Sequence, residues 1–197
     1  MFKKMRSPVS AVMTVSVFLV LIVFLGIAQE KMQSEEYQAQ AMGQGNQLGQ
    51  TFNVTVHIEE YSSPEERQVL VEAFNKAGSQ GLYNALNKMH AKGHIAITGT
   101  LGYDVIFARV FPTTAEGTKI RILTNRPITF GEAWTDSNSM DYNLSALELN
   151  ISPEKGKSSG VLLPACQFKI NKETKELEID NYQNPWKLVD VLDRSKK

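Results

Sequence analysis

The chain has 197 residues, 42% of them hydrophobic and 21% charged, a composition that excludes wholesale disorder and suits one globular domain. Its 21 basic and 21 acidic residues cancel, and no Lys/Arg cluster stands outside the two termini. The basic face that phosphate neutralisation requires is therefore missing, which argues against nucleic-acid binding. A single cysteine, Cys166, excludes an internal disulfide, so an apolar core must supply the stability.

In chain order, Lys3, Lys4 and Arg6 precede an uncharged stretch from Pro8 to Ala28 centred on Val17–Leu25. Positive charge before an apolar run marks a segment that inserts with its N-terminus inside, because Lys and Arg resist translocation. Gly26-Ile27-Ala28 fits a signal-peptide cleavage site, whereas the length of the run also suits a retained anchor. Both readings export the protein, to the periplasm or the extracellular space, and residues 8–28 could tether it to the inner membrane. Without the three leading cations, 18 basic residues face 21 acidic ones, so the exported part is mildly acidic. Residues 29–50, rich in Gln, Gly and Glu, read as a flexible spacer with too little apolar surface to offset chain entropy.

Residues 51–197 then read as one α+β domain. Phe52, Val54, Val56 and Ile58 alternate with polar residues at the period of a half-buried strand. Ser63-Pro64-Glu65-Glu66 starts a helix through a capping box, and Gly78 stops it near Ala77. Ser79 can cap a second helix that carries Leu82, Leu86 and Met89 to Gly93, which predicts a two-helix hairpin after the first strand. Strands follow at 94–98, 103–111, 119–124, 142–151, 160–170, 176–182 and 186–192. Short turns between them predict antiparallel neighbours, with a bulge in the stretch holding Leu144, Leu147, Leu149 and Ile151. The expected fold is a curved or partly closed antiparallel meander with the helical hairpin packed against it.

Tyr61-Ser-Ser-Pro-Glu-Glu-Arg67, Gly78-Ser-Gln-Gly-Leu82 with Ala85-Leu86, Leu101-Gly-Tyr-Asp104, Asn125-Arg-Pro127 and Glu178-Ile-Asp-Asn-Tyr182 occur in this order over nearly all of Thr51–Val191. In these the chain resembles a family of uncharacterised exported bacterial proteins, especially acidobacteria-like ones. The resemblance implies a signal-bearing bacterial protein and supplies no activity. Asn125 stands where related chains tend to carry Asp, which weakens any idea that a carboxylate there is indispensable.

Candidate sites are sparse. His90-Ala-Lys-Gly-His94 has a metal-like spacing, but Gly93 ends the helix that would align the imidazoles and HExxH is absent, so no metal or other cofactor is expected. Gly99-Thr-Leu-Gly102 precedes a strand where a phosphate cradle needs a helix. No Gly-x-Ser-x-Gly occurs. Cys166 sits in an apolar run and reads as a buried small hydrophobe.

The stretch from Asn125 to Tyr142 gathers the most chemistry. Arg126, Glu132, Trp134 and Tyr142 are the candidate ligand-binding residues, an Arg with aromatic rings being suited to an anionic or sugar-like molecule. The competing reading pairs Arg126 with a local acid and lets Trp134 cap the core. The function expected is an extracytoplasmic ligand-binding or interaction domain without catalysis, its partner a small molecule or an envelope protein. The partly closed sheet could hold an apolar ligand inside. The alternative is a cell-envelope hydrolase with paired carboxylates, Glu132 with Asp136 or Asp141.

Overall fold

A computed structural model describes residues 34–112, 114, 117–129 and 142–195. The strands are β1 (Glu35–Gly43), β2 (Thr51–Ile58), β3 (Gly93–Ile97), β4 (Tyr103–Val105), β5 (Phe107–Val110), β6 (Thr118–Leu123), β7 (Leu144–Ile151), β8 (Ser159–Ile170), β9 (Leu177–Gln183) and β10 (Trp186–Asp193). Among the described residues one α-helix, α1 (Pro64–Leu86), lies between β2 and β3. Every strand pair is antiparallel, and the order is β4-β3-β2-β1-β10-β8-β7-β6-β5, with β9 on β8.

The two ends of this path are consecutive in sequence. β4 and β5 are separated by Ile106 alone, so one strand pairs with β3 in its first half and with β6 in its second. The hand-over is explicit in the hydrogen bonds: Lys92 N donates to Val105 O (2.6 Å) and Ile106 N to Leu123 O (2.9 Å). At Ala108 the seam is closed by Ser62, whose N–H donates to Ala108 O (2.8 Å) and whose Oγ accepts from Ala108 N (3.2 Å). The sheet is thus a nearly closed barrel, the arrangement that leaves the fewest unpaired edges.

Alternation divides the side chains. Val54, Val56, Ile58, Ile95, Ile97, Ile120, Ile122, Leu147, Leu149, Leu162 and Trp186 fill the inside. The outward Phe107, Leu123, Leu144, Ala146, Leu163, Cys166 and Phe168 meet Leu70, Leu82 and Leu86 of α1. Fully burying each such leucine is worth about 1.5–3 kcal/mol, so the helix is held on by its apolar stripe.

The two-helix hairpin is therefore a correction, and with it the α+β expectation gives way, among the described residues, to a mostly-β, barrel-like sheet carrying one helix. The chain does bend at Ala77 (φ −144°, ψ 22°) and Gly78 (φ 58°, ψ −146°), but the helix resumes at once. Leu70 before the bend and Leu82 and Leu86 after it enter the same cluster, so both halves serve one patch of sheet. The helix ends at Leu86 and not at Gly93, which opens β3.

A second correction concerns the spacer. Glu35–Gly43 form β1, a strand paired on both sides, by β2 and β10. Its inward positions are Tyr37, Ala39, Ala41 and Gly43, and the last three are small residues that leave room for Trp186 opposite Gly43. Phe52 tilts against the same indole, ring centroids 4.6 Å apart. Gly43 also opens a tight turn in which a Cβ would lie 2.0 Å from Gln47 O.

The helix start is bound to the barrel end by charge. Ser63 caps α1 with a reciprocal capping box to Glu66. Lys92, its side chain 4% exposed, reaches Glu60 Oε1 (2.6 Å) and Glu66 Oε1 (2.8 Å). Hydrogen bonding from Lys92 holds the Glu60 carboxyl below its usual pKa. For Glu66, burial pushes the other way but Lys92 and the Ser63 amide outweigh it, so it too is lowered. Burial lowers the Lys92 pKa and its two carboxylates raise it, with a net rise. Beside this network Tyr37 and Tyr61 both donate to Glu35 Oε2, at 2.7 and 2.5 Å. Burial first and that carboxylate second push both phenols upward.

Two outcomes follow from this arrangement. Gly43→Ala should destabilise by about 1–3 kcal/mol through overpacking against backbone, read as a drop in denaturation midpoint; an unchanged midpoint would contradict the turn. Carboxylates with depressed pKa values stabilise above the unfolded value of 4.5 and lose that contribution as pH falls through their folded values. Lys92→Met should accordingly cost about 2 kcal/mol at pH 7, and the gap to the native chain should shrink below pH 4.5. Urea melts across pH 3–7 check this, and a gap constant with pH would remove the network from the account.

Candidate functional site

Outward positions on β5 and β6 are Phe107 and Arg109, Arg121 and Leu123, and the register sets Arg109 directly opposite Arg121. Like charges so placed repel, and their retention demands compensation. Arg121 has it in full. Its Nε (2.7 Å) and Nη2 (2.6 Å) meet Glu148 Oε1 from the next strand, and its Nη1 donates to Leu177 O (2.8 Å).

Arg109 is compensated only in part. Its Nη2 pairs with Glu176, while its Nε is buried without a hydrogen-bond partner. A buried unsatisfied donor costs about 1–3 kcal/mol. Both guanidiniums lie over Phe111, at 4.4 Å and 5.0 Å from the ring centroid. The Arg109 side chain is 14% exposed and that of Arg121 11%, so neither is a freely solvated surface charge.

These residues line one groove of about 310 Å³ on the outside of the barrel. Phe107, Phe111, Leu123, Phe168 and Leu177 make its apolar lining, and Arg67, Gln68 and Val71 of α1 form one wall. The opposite wall is the β8–β9 turn, Thr174 to Leu177. That turn is built by Asn171, whose Oδ1 accepts from the amides of Glu173 (2.8 Å) and Thr174 (3.1 Å), and by Lys175 in the left-handed region (φ 57°). It delivers Glu176 onto Arg109. Arg67, Arg109, Arg121 and Lys175 against Glu148 and Glu176 leave the groove net positive on a chain of zero formal net charge. The size is at the lower end of small-molecule sites, and an apolar body with one convergent charged group is their usual composition.

The residues anticipated from sequence lie elsewhere. Arg126 donates from Nη2 to Gly102 O (2.8 Å) and stacks 4.7 Å over Tyr103. Its carbonyl accepts from Thr124 Oγ1 (2.6 Å) and from the buried Ser145 Oγ (3.2 Å), which fixes the segment to β7. Tyr142 is half-buried just before β7, and the contacts of Arg126 are with Tyr103 and Gly102. Glu132 and Trp134 lie outside the described residues, as do Asp136 and Asp141 on which the hydrolase alternative depends. Glu148 and Glu178 share a hollow of about 340 Å³ beside Tyr182, but the first is held by Arg121 and the second accepts from Asn171 Nδ2 (2.8 Å). An acid held by a guanidinium is not available to protonate a leaving group.

The remaining motifs resolve locally. His90 Nε2 meets Glu60 Oε1 (2.9 Å), and His94, now on β3, points Nδ1 at Asp104 (3.8 Å). Among the described residues no three His, Cys, Asp or Glu gather in a way that could hold a metal ion. Cys166 is buried, its Sγ toward Leu144 O (3.6 Å), and burial pushes its thiol pKa up, away from reactivity. Among the described residues no helix is long and apolar enough to cross a membrane; residues 8–28, which carry the export expectation, lie outside them.

The groove escaped sequence reading because Arg67, Arg109, Arg121 and Glu176 come from four separate elements. The usable signal was the pairing of the expected strands 103–111 and 119–124, which brings two arginines onto one outward row. No protein-family model, curated protein or solved structure matches the chain.

Proposed function

We propose that this protein is a non-catalytic binding domain that takes a small, largely apolar molecule into the outer groove between α1, β5–β6 and the β8–β9 turn. The observation that carries the reading is the groove itself, about 310 Å³ of space lined by aromatic and aliphatic side chains beside two half-buried guanidiniums. The barrel interior supports it by contrast: Trp186, Ile95, Ile122, Leu147 and their neighbours occupy that space, so a ligand is better accommodated outside. The charge pattern of residues 3–28 supports an extracytoplasmic setting for this binding, with the segment either cut or kept as a tether.

Fluorescence titration with N-phenyl-1-naphthylamine, a neutral apolar dye, tests the groove on the chain purified from Gln29 onward and on the full chain in detergent. Saturable binding with a blue-shifted emission is expected. Val71→Trp, which fills the groove from a half-buried helix position, should weaken it at least tenfold with the melting temperature unchanged. Equal binding by a folded Val71→Trp variant would overturn the reading; so would the absence of saturable binding to the native chain.

A further inference from the structure

We infer that the ligand is a carboxylate with an apolar tail, and that Glu176 is an internal carboxylate occupying the place of the ligand's own. The inference rests on the groove reading above and adds its chemical class. Three observations converge on it. Arg109 is a half-buried guanidinium at the side of an apolar groove. Among the described residues its only carboxylate contact is that of Nη2 with Glu176, and the neighbouring Nε, buried, has no partner. A guanidinium presents Nε and Nη2 as a parallel fork that matches the two oxygens of one carboxylate. Glu176 fills half of that fork. A carboxylate arriving along the groove, free of the hairpin backbone, can take both.

The second cation cannot play this part. Arg121 spends Nε and Nη2 on Glu148 and Nη1 on Leu177 O, so it is a fixed wall that keeps Phe111 in place. Arg109 is thus the receptor for the anion, and Arg67 and Lys175 supply the excess positive charge that draws it in. Glu176 is 34% exposed and sits at the end of a turn, so it can swing to solvent when displaced, leaving the charge count of the pair restored by the incoming group. A neutral ligand would leave the Arg109–Glu176 pair intact and the Nε unsatisfied. In this arrangement the hairpin keeps Arg109 paired in the empty site, and displacing Glu176 sets a threshold that an incoming anion overcomes.

Isothermal titration with sodium octanoate and with 1-octanol, its neutral counterpart, separates the possibilities. Glu176→Gln should bind octanoate about five- to tenfold more tightly than the native chain and 1-octanol with unchanged affinity. Arg109→Lys keeps the charge and loses the fork, and should weaken octanoate at least tenfold while leaving 1-octanol within twofold. Melting curves on both variants confirm folding. If octanoate and 1-octanol bind alike and neither substitution changes their ratio, the carboxylate assignment falls while the groove stands. If Glu176→Gln leaves octanoate affinity unchanged although Arg109→Lys lowers it, Glu176 is not the internal stand-in and the inference is overturned. If neither compound nor the neutral dye binds, the groove reading falls with it.

Discussion

Closure at Ile106 governs the rest of the molecule. A strand that gives its first half to β3 and its second to β6 converts a ten-strand ribbon into a barrel without any added element. Backbone amides at a free edge would otherwise need water or another chain. Here Lys92, Ile106 and Ser62 carry the hydrogen bonds of the seam, and Ser62 leads directly into the cap of α1. The position of the helix is therefore a consequence of how the barrel is sealed. Since α1 forms one wall of the groove, the seam and the binding site belong to one construction.

Sealing the barrel also decides which of its surfaces is available. Inward alternation with small residues on β1 and bulky ones on β2, β6, β7 and β10 packs the inside around Trp186. The outward row on β5–β7 carries Arg109, Arg121 and Glu148, residues too polar to lie under a helix. Farther along the same strands Phe107, Leu123 and Leu144 are apolar and α1 covers them. The groove forms where the apolar half of this outer face meets the charged half, which is why its lining has both characters.

Much of this was legible in the sequence, and the failures are instructive. Alternation located the strands from Thr51 onward to within a residue or two, because turns such as Asn171–Lys175 are bounded by regular apolar spacing. β1 was missed because its inward residues after Tyr37 are Ala39, Ala41 and Gly43, whose smallness suits a barrel interior but resembles a spacer by composition. Gly78 was read as the stop of a first helix; its torsions do break the regular helix, but torsion does not say whether the chain then reverses, and the shared cluster of Leu70 and Leu86 shows that both halves serve one helix. The groove was invisible for a different reason. Its charges are distant in sequence and unremarkable in number, and only strand register and the β8–β9 turn bring Arg109, Arg121 and Glu176 together. The stretch from Asn125 to Tyr142, chosen for its density of charge and rings, reaches the described structure only through its two ends.

The junction between β9 and β10 adds a mechanical point. Both strands follow the same edge of β8 in one register, since Leu162 pairs with Trp186 and Ala165 with Gln183. The gap falls at Asn184-Pro185, opposite Leu163-Pro164, where Pro185 has no amide to give the ladder and the Pro164 carbonyl is turned the other way, to Ile128 N and Ser145 Oγ. β10 is gripped by β1 as well as β8, whereas among the described residues β9 is paired with β8 alone. The hairpin that carries Glu176 is accordingly a cantilever, hinged near Pro185, attached by its ladder along one side and held across the groove only by the side chains of Arg109 and Arg121. Its excursions cost only its own contacts, so the wall of the groove can flex while the barrel behind it stays shut.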